Sequence, residues 1–194
     1  MDVTGHAFVT GGGSGIGKAC CLLFAQLGAS SIFVADINLE TAQETVTEIT
    51  AAATSPDFRA EALQLDVSDE DAVKNAVAHM VDSSGRIDYC VHCAGICVRS
   101  YQPVAKASFV EFQELLRVHV HGTFLVTSLV SAAMASQEPK QIDASIPQRG
   151  SVRGSIVNLA SVTSLITPPN IVPYSAAKHA VLGITRTAGK QLPV

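Results

Sequence analysis

Tryptophan is absent from these 194 residues, aromatic side chains make up only 5%, and charged ones only 15%. Basic residues are not in excess, and the formal net charge of −4 argues against nucleic acid or an anionic membrane as a partner. Long apolar runs are also missing. The first apolar stretch, Ala7 to Val9, is too short and wrongly flanked for a secretion signal, and no uncharged apolar run approaches the roughly 20 residues that cross a bilayer. A cytoplasmic location is the expectation that follows. The five cysteines, Cys20, Cys21, Cys90, Cys93 and Cys97, are odd in number, which without a secretion signal favours reduced thiols. Cys90 and Cys93 have a metal-ligand spacing. Within the apolar run Tyr89 to Cys93, however, they would point to opposite faces of a strand, so buried small side chains are expected there and no metal site.

What is present is a 47% hydrophobic content distributed in alternating short and long segments. The chain is long enough to bury a core as one domain over residues 1–194. Short apolar runs predict strands over Ala7 to Thr10, Ser31 to Asp36, Ala60 to Asp66, Tyr89 to Cys93 and Ser155 to Ser161. Longer amphipathic runs predict helices over Gly15 to Leu27, Leu39 to Ala53, Asp69 to Asp82, Ser108 to Ser136 and Tyr174 to Gln191. Such alternation, with near-continuous apolar strands, implies an α/β fold: a doubly wound parallel sheet with helices on both faces and right-handed crossovers. Ser68 is a candidate helix cap, and Pro173 suits the first turn of the last helix. Residues 137–154 are polar, hold two prolines and two glycines, and read as a surface loop. No internal repeat or dividing linker is visible.

Between the first strand and the first helix lies Thr10-Gly-Gly-Gly-Ser-Gly-Ile-Gly17. Glycines at 11, 15 and 17 let a backbone turn approach a pyrophosphate, whose charge suits the free N–H groups and positive end of the following helix. Asp36 ends the second strand, nineteen residues after Gly17. A carboxylate there can accept both hydroxyls of an adenosine ribose and repel a 2′-phosphate; it can also serve only the turn before Asn38. With no Arg or Lys between Gly11 and Gly17, NAD is favoured over NADP. Asp66 at the end of the third strand can reach an adenine amino group or cap the turn at Ser68. Tyr174 and Lys178 are spaced i, i+4, on one helical face, where an ammonium lowers the pKa of a phenol and fits it to pass a proton. Ser161, thirteen residues before Tyr174, falls at the carboxyl end of the fifth strand, where ligands bind in such sheets. Its hydroxyl can hydrogen-bond a substrate oxygen.

In these ordered motifs the chain resembles the short-chain dehydrogenase/reductase family: Thr10-Gly-x-x-x-Gly15-x-Gly17, Asp66-Val67, Ala94-Gly95, Asn158-x-x-Ser161 and Tyr174-x-x-x-Lys178. The resemblance implies a Rossmann fold and hydride transfer between NAD(H) and a carbonyl/secondary alcohol pair, with the hydride carried by the cofactor. It implies that Tyr174 is the general acid/base and that Ser161 polarises the substrate oxygen. Lys178 would bind the nicotinamide ribose and tune Tyr174. The cofactor would lie along Thr10, Gly11, Gly13, Ser14, Gly15, Ile16 and Gly17. It would continue past Asp36 and Ile37, past Asp66 and Val67, and past Cys93, Ala94 and Gly95, ending at Tyr174 and Lys178.

Two positions depart from the family pattern. Cys93 stands where the family commonly has the asparagine of Asn-Ala-Gly, losing an amide hydrogen bond. His119 stands where the family usually has an asparagine that bends the helix and holds a water in the proton relay from the lysine. Histidine can hold a water and titrate near neutral pH, or it can merely pack and bond a backbone carbonyl.

Leu165, Ile166, Pro168, Pro169, Ile171 and Val172 lie between Ser161 and Tyr174 and would wall an apolar pocket. A hydrophobic alcohol or ketone of polyketide, terpenoid or steroid-like character is the expected substrate. Residues 137–153 and the run Arg153-Gly-Ser-Ile-Val-Asn158 look similar to fungal members, which suggests secondary metabolism. Relatives commonly run to about 250 residues, so two further strands and a substrate loop are expected to be missing, leaving the fifth strand as an open edge. Three readings follow: an active dehydrogenase, a cofactor-binding protein that works through a partner, and an inactive product. Assembly as a homodimer or homotetramer through the long helices is expected.

Overall fold

The computed structural model describes residues 3–143 and 145–190. Residues 191–194, among them Gln191 where the last helix was expected to end, lie outside the described residues. Five strands, β1 (His6–Thr10), β2 (Ser31–Asp36), β3 (Arg59–Gln64), β4 (Tyr89–His92) and β7 (Ser155–Asn158), form one sheet in the order β3-β2-β1-β4-β7. Every pairing in it is parallel.

Period-two alternation sends the side chains of each strand to two faces, and both faces are apolar because both are covered. Ala7, Val9, Ile32 and Val34 pack with Cys21 and Ala25 of α1 (Gly15–Gln26) and with Ala42 and Ile49 of α2 (Leu39–Ala52). On the other face, Phe8, Phe33 and Cys90 meet Val73, Val77 and Met80 of α3 (Glu70–Ser84). The helical segment that follows there is α4 (Phe109–Leu115), a π-helical turn (Leu116–His121) and α5 (Gly122–Ala135), with Val126 and Val130 of α5 facing the sheet. The last helix, α6 (Val172–Ala188), packs against α5 with Pro173 in its first turn. The chain winds from β1 out to β3, then returns to build β4 and β7 on the other side of β1. The β1/β4 crevice at the carboxyl ends is therefore the topological switch point where ligands bind in such sheets.

Local chemistry corrects several expectations. Strand pairing stops at Gln64, His92 and Asn158, so Asp66, Cys93 and Ser161 fall in the loops beyond the sheet rather than at strand ends. Asp69, not Ser68, caps α3, its carboxylate accepting from Ala72 N at 2.9 Å. The long helix expected over Ser108 to Ser136 is interrupted by the π-helical turn, which re-aims the side chains of Arg117 and His119. Apart from that widened turn, Phe109–Ala135 is one continuous helical stretch. It is 27 residues long and its most apolar part has a mean hydropathy of 1.4, long and apolar enough by length and composition to cross a bilayer although Glu111, Glu114 and Arg117 interrupt it; Val126, Val130 and Met134 are buried against the sheet. The 137–154 segment is not wholly irregular. It holds a short antiparallel pair, β5 (Lys140–Gln141) with β6 (Ser151–Val152). Gln137 fastens its base, accepting from Ile87 N at 2.7 Å and donating to the carbonyls of Ile87 and Arg153 at 3.0 and 2.6 Å.

Candidate active site

The glycine turn is held by close backbone contact. Gly11 has φ +66°, and a Cβ there would sit 2.7 Å from Ala94 N, so the turns after β1 and β4 lie directly against each other. A Cβ on Gly17 would collide with the Gly11 carbonyl oxygen, so only glycine lets α1 start this close to the strand. At the head of α1, Ser14 makes no side-chain capping bond and the first turn carries no acidic residue. The first-turn N–H groups thus have no side-chain cap, and no carboxylate of that turn competes for an anion.

A groove of about 320 Å³ opens at this point. Gly11, Ser14, Gly15, Ile16 and Gly17 form its floor; Asp36, Ile37, Asp66 and Val67 line one end, and Cys93, Ala94 and Gly95 line the other. Thr10 and Gly13 stand behind this wall. Thr10 is fully buried, with Oγ1 2.7 Å from His92 Nδ1. Gly13 is buried and donates its N–H to Asp36 Oδ2 at 2.9 Å. The other Asp36 oxygen accepts from Asn38 N at 3.0 Å, so this carboxylate both braces its turn and faces the groove. Asp66 is divided likewise. Its Oδ1 takes Ser68 N at 2.9 Å and Ser68 Oγ at 2.6 Å, while Oδ2 is 3.1 Å from Arg117 Nη1. Burial pushes the Asp66 carboxyl upward, but the Ser68 and Arg117 donors outweigh it and hold it below its ordinary value. Arg117, Ile96, Val118, Leu65 and Leu159 also line the groove and were missed from the sequence. Nothing in the helical periodicity signals that Arg117 turns inward, because the π-helical turn that aims it breaks that periodicity.

Deeper in the crevice, α6 carries the Tyr174–Lys178 pair. Tyr174 is half-buried and Lys178 is only 5% exposed. Lys178 Nζ donates to Leu159 O at 2.8 Å and lies 5.7 Å from the centre of the Tyr174 ring. Burial lowers the lysine pKa, with the Cys93 and Cys97 thiols acting weakly the other way. The Ser161 loop is tied to the same helix: Ser161 Oγ accepts from Thr163 N at 3.1 Å, and Ser164 Oγ donates to Lys178 O at 2.7 Å.

His119 joins this group, its ring 5.6 Å from that of Tyr174 and edge-on at 87°. It is 2% exposed, and its Nε2 lies 2.7 Å from Ile96 O and 3.3 Å from Ile96 N; the shorter contact places the ring proton on Nε2, donated to the carbonyl, and leaves Nδ1 as an acceptor. Burial, reinforced by Lys178, lowers its pKa to about 4, so it stays neutral and does not titrate near pH 7 as the sequence suggested. Cys93 is also not the core residue expected. It is half-buried on the groove wall, and burial, with Cys20 beside it, lifts its thiol to about 11. Cys90 is fully buried as expected. Of the six residues expected to wall a substrate pocket, only Ile171, just before α6, is buried. Leu165, Ile166, Pro168, Pro169 and Val172 are exposed.

The groove residues suit a dinucleotide. The turn offers backbone donors at a helix N-terminus to a pyrophosphate, and two carboxylates stand where an adenosine would lie; Tyr174, Lys178 and Ser161 do not line the groove, but Lys178 Nζ is held by the carbonyl of Leu159, which does.

Comparison with known proteins agrees. The family profile described as short chain dehydrogenase matches residues 5–193. Short-chain dehydrogenase fogB of Aspergillus ruber (strain CBS 135680) is 51% identical over 188 residues, covering 97% of this chain and 69% of the relative. Short-chain dehydrogenase srdC of Neurospora crassa is 47% identical over 188 residues, with the same 97% and 69% coverage. Among solved structures, NAD+-bound xylitol dehydrogenase aligns with a TM-score of 0.81 at 29% identity, covering 96% of this chain and 64% of that one. The chain therefore belongs to the short-chain dehydrogenase/reductase family, oxidoreductases that act on CH–OH and C=O groups with a dinucleotide cofactor, NAD(P).

Proposed function

We propose that this chain is an NAD-dependent oxidoreductase that interconverts an apolar secondary alcohol and its ketone. The observation that carries the reading is that Tyr174, Lys178 and the Ser161 loop are gathered at one helix, and that Lys178 Nζ is held by the carbonyl of Leu159, which lines the groove beside the glycine turn. A bound nicotinamide supplies the hydride. Tyr174 gives a proton to the nascent alkoxide in reduction and takes one from the alcohol in oxidation. The Lys178 ammonium, fixed by Leu159 O, stabilises the phenolate form of Tyr174 and offers its remaining N–H groups to the nicotinamide ribose. Ser161 Oγ hydrogen-bonds the substrate oxygen and steadies its developing charge. Neutral His119 acts as an acceptor through Nδ1, able to hold a water near the pair but not to carry charge itself.

Three features support the finer assignments. The Asp36 carboxylate is braced by Gly13 N and Asn38 N, so it cannot easily swing away from a 2′-phosphate, which favours NAD over NADP. Exposed Leu165 and Ile166 beyond the Ser161 loop suit an apolar substrate, such as a polyketide- or terpenoid-like molecule of secondary metabolism. Between α5 and α6 lies a groove of about 440 Å³ lined by Phe124, Ser128, Ser131, Gly183 and Ile184, and we assign homodimer or homotetramer contacts to this surface. A cytoplasmic location remains part of the proposal.

The test is thermal unfolding of the 194-residue chain with NAD or NADP, followed by a turnover screen of apolar ketones with NADH. NAD at 100 times its dissociation constant should stabilise by about 2.7 kcal/mol. A melting point indifferent to both nucleotides would refute the cofactor site, and a larger shift with NADP would refute the role given to Asp36.

A further inference from the structure

Lys178 meets the Ser161 segment twice. Its side chain donates to Leu159 O at 2.8 Å, and its main-chain carbonyl accepts from Ser164 Oγ at 2.7 Å. Leu159 stands before Ser161 in the chain and Ser164 after it, so both flanks of the serine are fixed to one residue of α6. The first tie uses the ammonium that serves Tyr174. The second uses a hydroxyl that no other step needs, on a side chain only 3% exposed.

The Ser164 hydroxyl works in both directions. A serine hydroxyl has one hydrogen to give and two lone pairs that accept. The hydrogen goes to Lys178 O, and a lone pair takes Ser161 N at 3.3 Å. Ser161 O in turn accepts from Ser164 N at 2.9 Å, closing the single helical turn Val162–Ser164 with Ser161 at its head. The backbone of Ser161 is therefore held through its N–H and its carbonyl by one neighbour, and that neighbour is bonded to α6. Its side chain is held as well: Ser161 Oγ accepts from Thr163 N at 3.1 Å. That bond uses a lone pair, so the Ser161 hydroxyl hydrogen remains to be given to a substrate oxygen.

The turn does not need Ser164 Oγ in order to form. Leu165 N and Ile166 N both donate to Val162 O, at 2.9 and 3.0 Å. What the hydroxyl adds is the placement of that turn on α6, and burial keeps solvent from replacing the bond.

We propose that Ser164 is a positioning residue for the reaction: through its paired bonds to Ser161 N and Lys178 O it sets the Ser161 hydroxyl against the Tyr174–Lys178 pair. The proposal rests on the roles given above to Ser161 and Tyr174. A ketone or alcohol oxygen must reach both of their hydroxyls at once, so a shift of the turn along α6 weakens one of two hydrogen bonds to the same atom. Ser164 does not line the cofactor groove, so its effect falls on turnover and not on nucleotide binding.

The test is a double-mutant cycle on the 194-residue chain with Ser164→Ala and Ser161→Ala, read as kcat for an apolar ketone with NADH. Ser164→Ala should lower kcat about tenfold, the size of one lost buried hydrogen bond, with the KM for NADH and the pH profile unchanged. In the Ser161→Ala background the same change should cost less than about twofold, because the group it positions is gone. Ser164→Cys keeps a side chain of similar shape and a weak donor, and should recover part of the loss. An equal loss in both backgrounds would leave Ser164 a structural residue only. A profile moved to higher pH would route its effect through Lys178 instead, and either result would overturn the proposal. Amide hydrogen exchange reads the tie without turnover. The Ser161 amide should be protected in the parent chain and exchange about tenfold faster in Ser164→Ala, with the Leu165 and Ile166 amides unchanged. An unprotected Ser161 amide in the parent chain would overturn the proposal whatever the turnover. A parent chain that holds this amide protected yet turns over no ketone would instead count against the dehydrogenase reading.

Discussion

Acidification should unfold this protein well above the range in which carboxylates usually govern stability. His92 and His119 are each 2% exposed, and burial lowers their pKa values to about 3 and about 4 from an ordinary 6.5. Both are bases whose folded form resists protonation, so the unfolded chain binds more protons below pH 6.5 and stability falls as pH falls. At pH 5 each unfolded histidine is almost fully protonated while each folded one is almost wholly neutral, and each costs about 2 kcal/mol relative to its neutral reference. Together they predict a loss of about 4 kcal/mol between pH 7 and pH 5, a large share of the 5–15 kcal/mol typical of a domain. His6, also lowered by burial, acts in the same direction. Asp66 does not enter this window, because its lowered pKa withdraws stability only below the ordinary carboxylate range. Urea unfolding followed by far-ultraviolet circular dichroism at half-unit steps from pH 7.5 to 5 measures the slope. His119→Asn should remove close to half of it. A stability that is flat over this range, or a slope unchanged in His119→Asn, would refute the neutral, buried state assigned to these rings.

Other expected outcomes are simpler to read. Tyr174→Phe removes only the proton-transfer group, so turnover should vanish while the NAD-induced rise in melting temperature stays; turnover retained in that variant would end the mechanism. Asp36→Ala should narrow the preference for NAD over NADP in a binding titration. It should also destabilise the chain by about 1–2 kcal/mol, because Gly13 N and Asn38 N lose their acceptor. Gly17→Ala places a Cβ against the Gly11 carbonyl, so the turn must shift and NAD affinity measured by calorimetry should collapse. Lys178→Met leaves Leu159 O without its donor and Tyr174 without its cation. The pH profile of turnover should then move to higher pH by at least one unit, and an unmoved profile would take the lysine out of the phenol's titration.

How far the sequence carried depended on whether a signal was local. The β-α rhythm was legible because each strand is covered on both faces and reads as an unbroken apolar run. The strand ends were read up to three residues too long, because Leu65, Cys93 and Leu159 still donate backbone hydrogen bonds to the neighbouring strand just past the last strand residue. The glycine turn and the Tyr174–Lys178 spacing were legible because a single backbone requirement or a single helical turn sets them. Arg117 was not, since its entry into the groove depends on one widened helical turn at Leu116–His121. The neutrality of His119 was equally hidden. It comes from burial against Gly95, where a Cβ would sit 2.5 Å from the imidazole Cε1, together with a lysine distant in sequence.

The two departures from the family pattern meet at that lysine. An asparagine amide carries a donor and an acceptor on one side chain, so replacing two of them ought to leave backbone groups unsatisfied. At position 119 the imidazole divides the same duties, with Nε2–H on Ile96 O and Nδ1 free to accept. The divided ring is larger than an amide, and the contact with Gly95 shows where the extra volume goes: a side chain at 95 would displace it. At position 93 the thiol, held protonated, supplies little hydrogen bonding, and the tie between the carboxyl ends of β1 and β4 passes to the preceding residue, where His92 bonds Thr10. Both substitutions thus keep Lys178 among neutral partners rather than beside a competing charge, and its ammonium remains the fixed positive centre next to Tyr174. Asparagine at 93 alone would place an amide beside the groove, whereas at 119 it would open space against Gly95 and draw the donor back from the Ile96 carbonyl. The second change should therefore disturb catalysis more than the first, although Cys93 lines the groove and His119 does not.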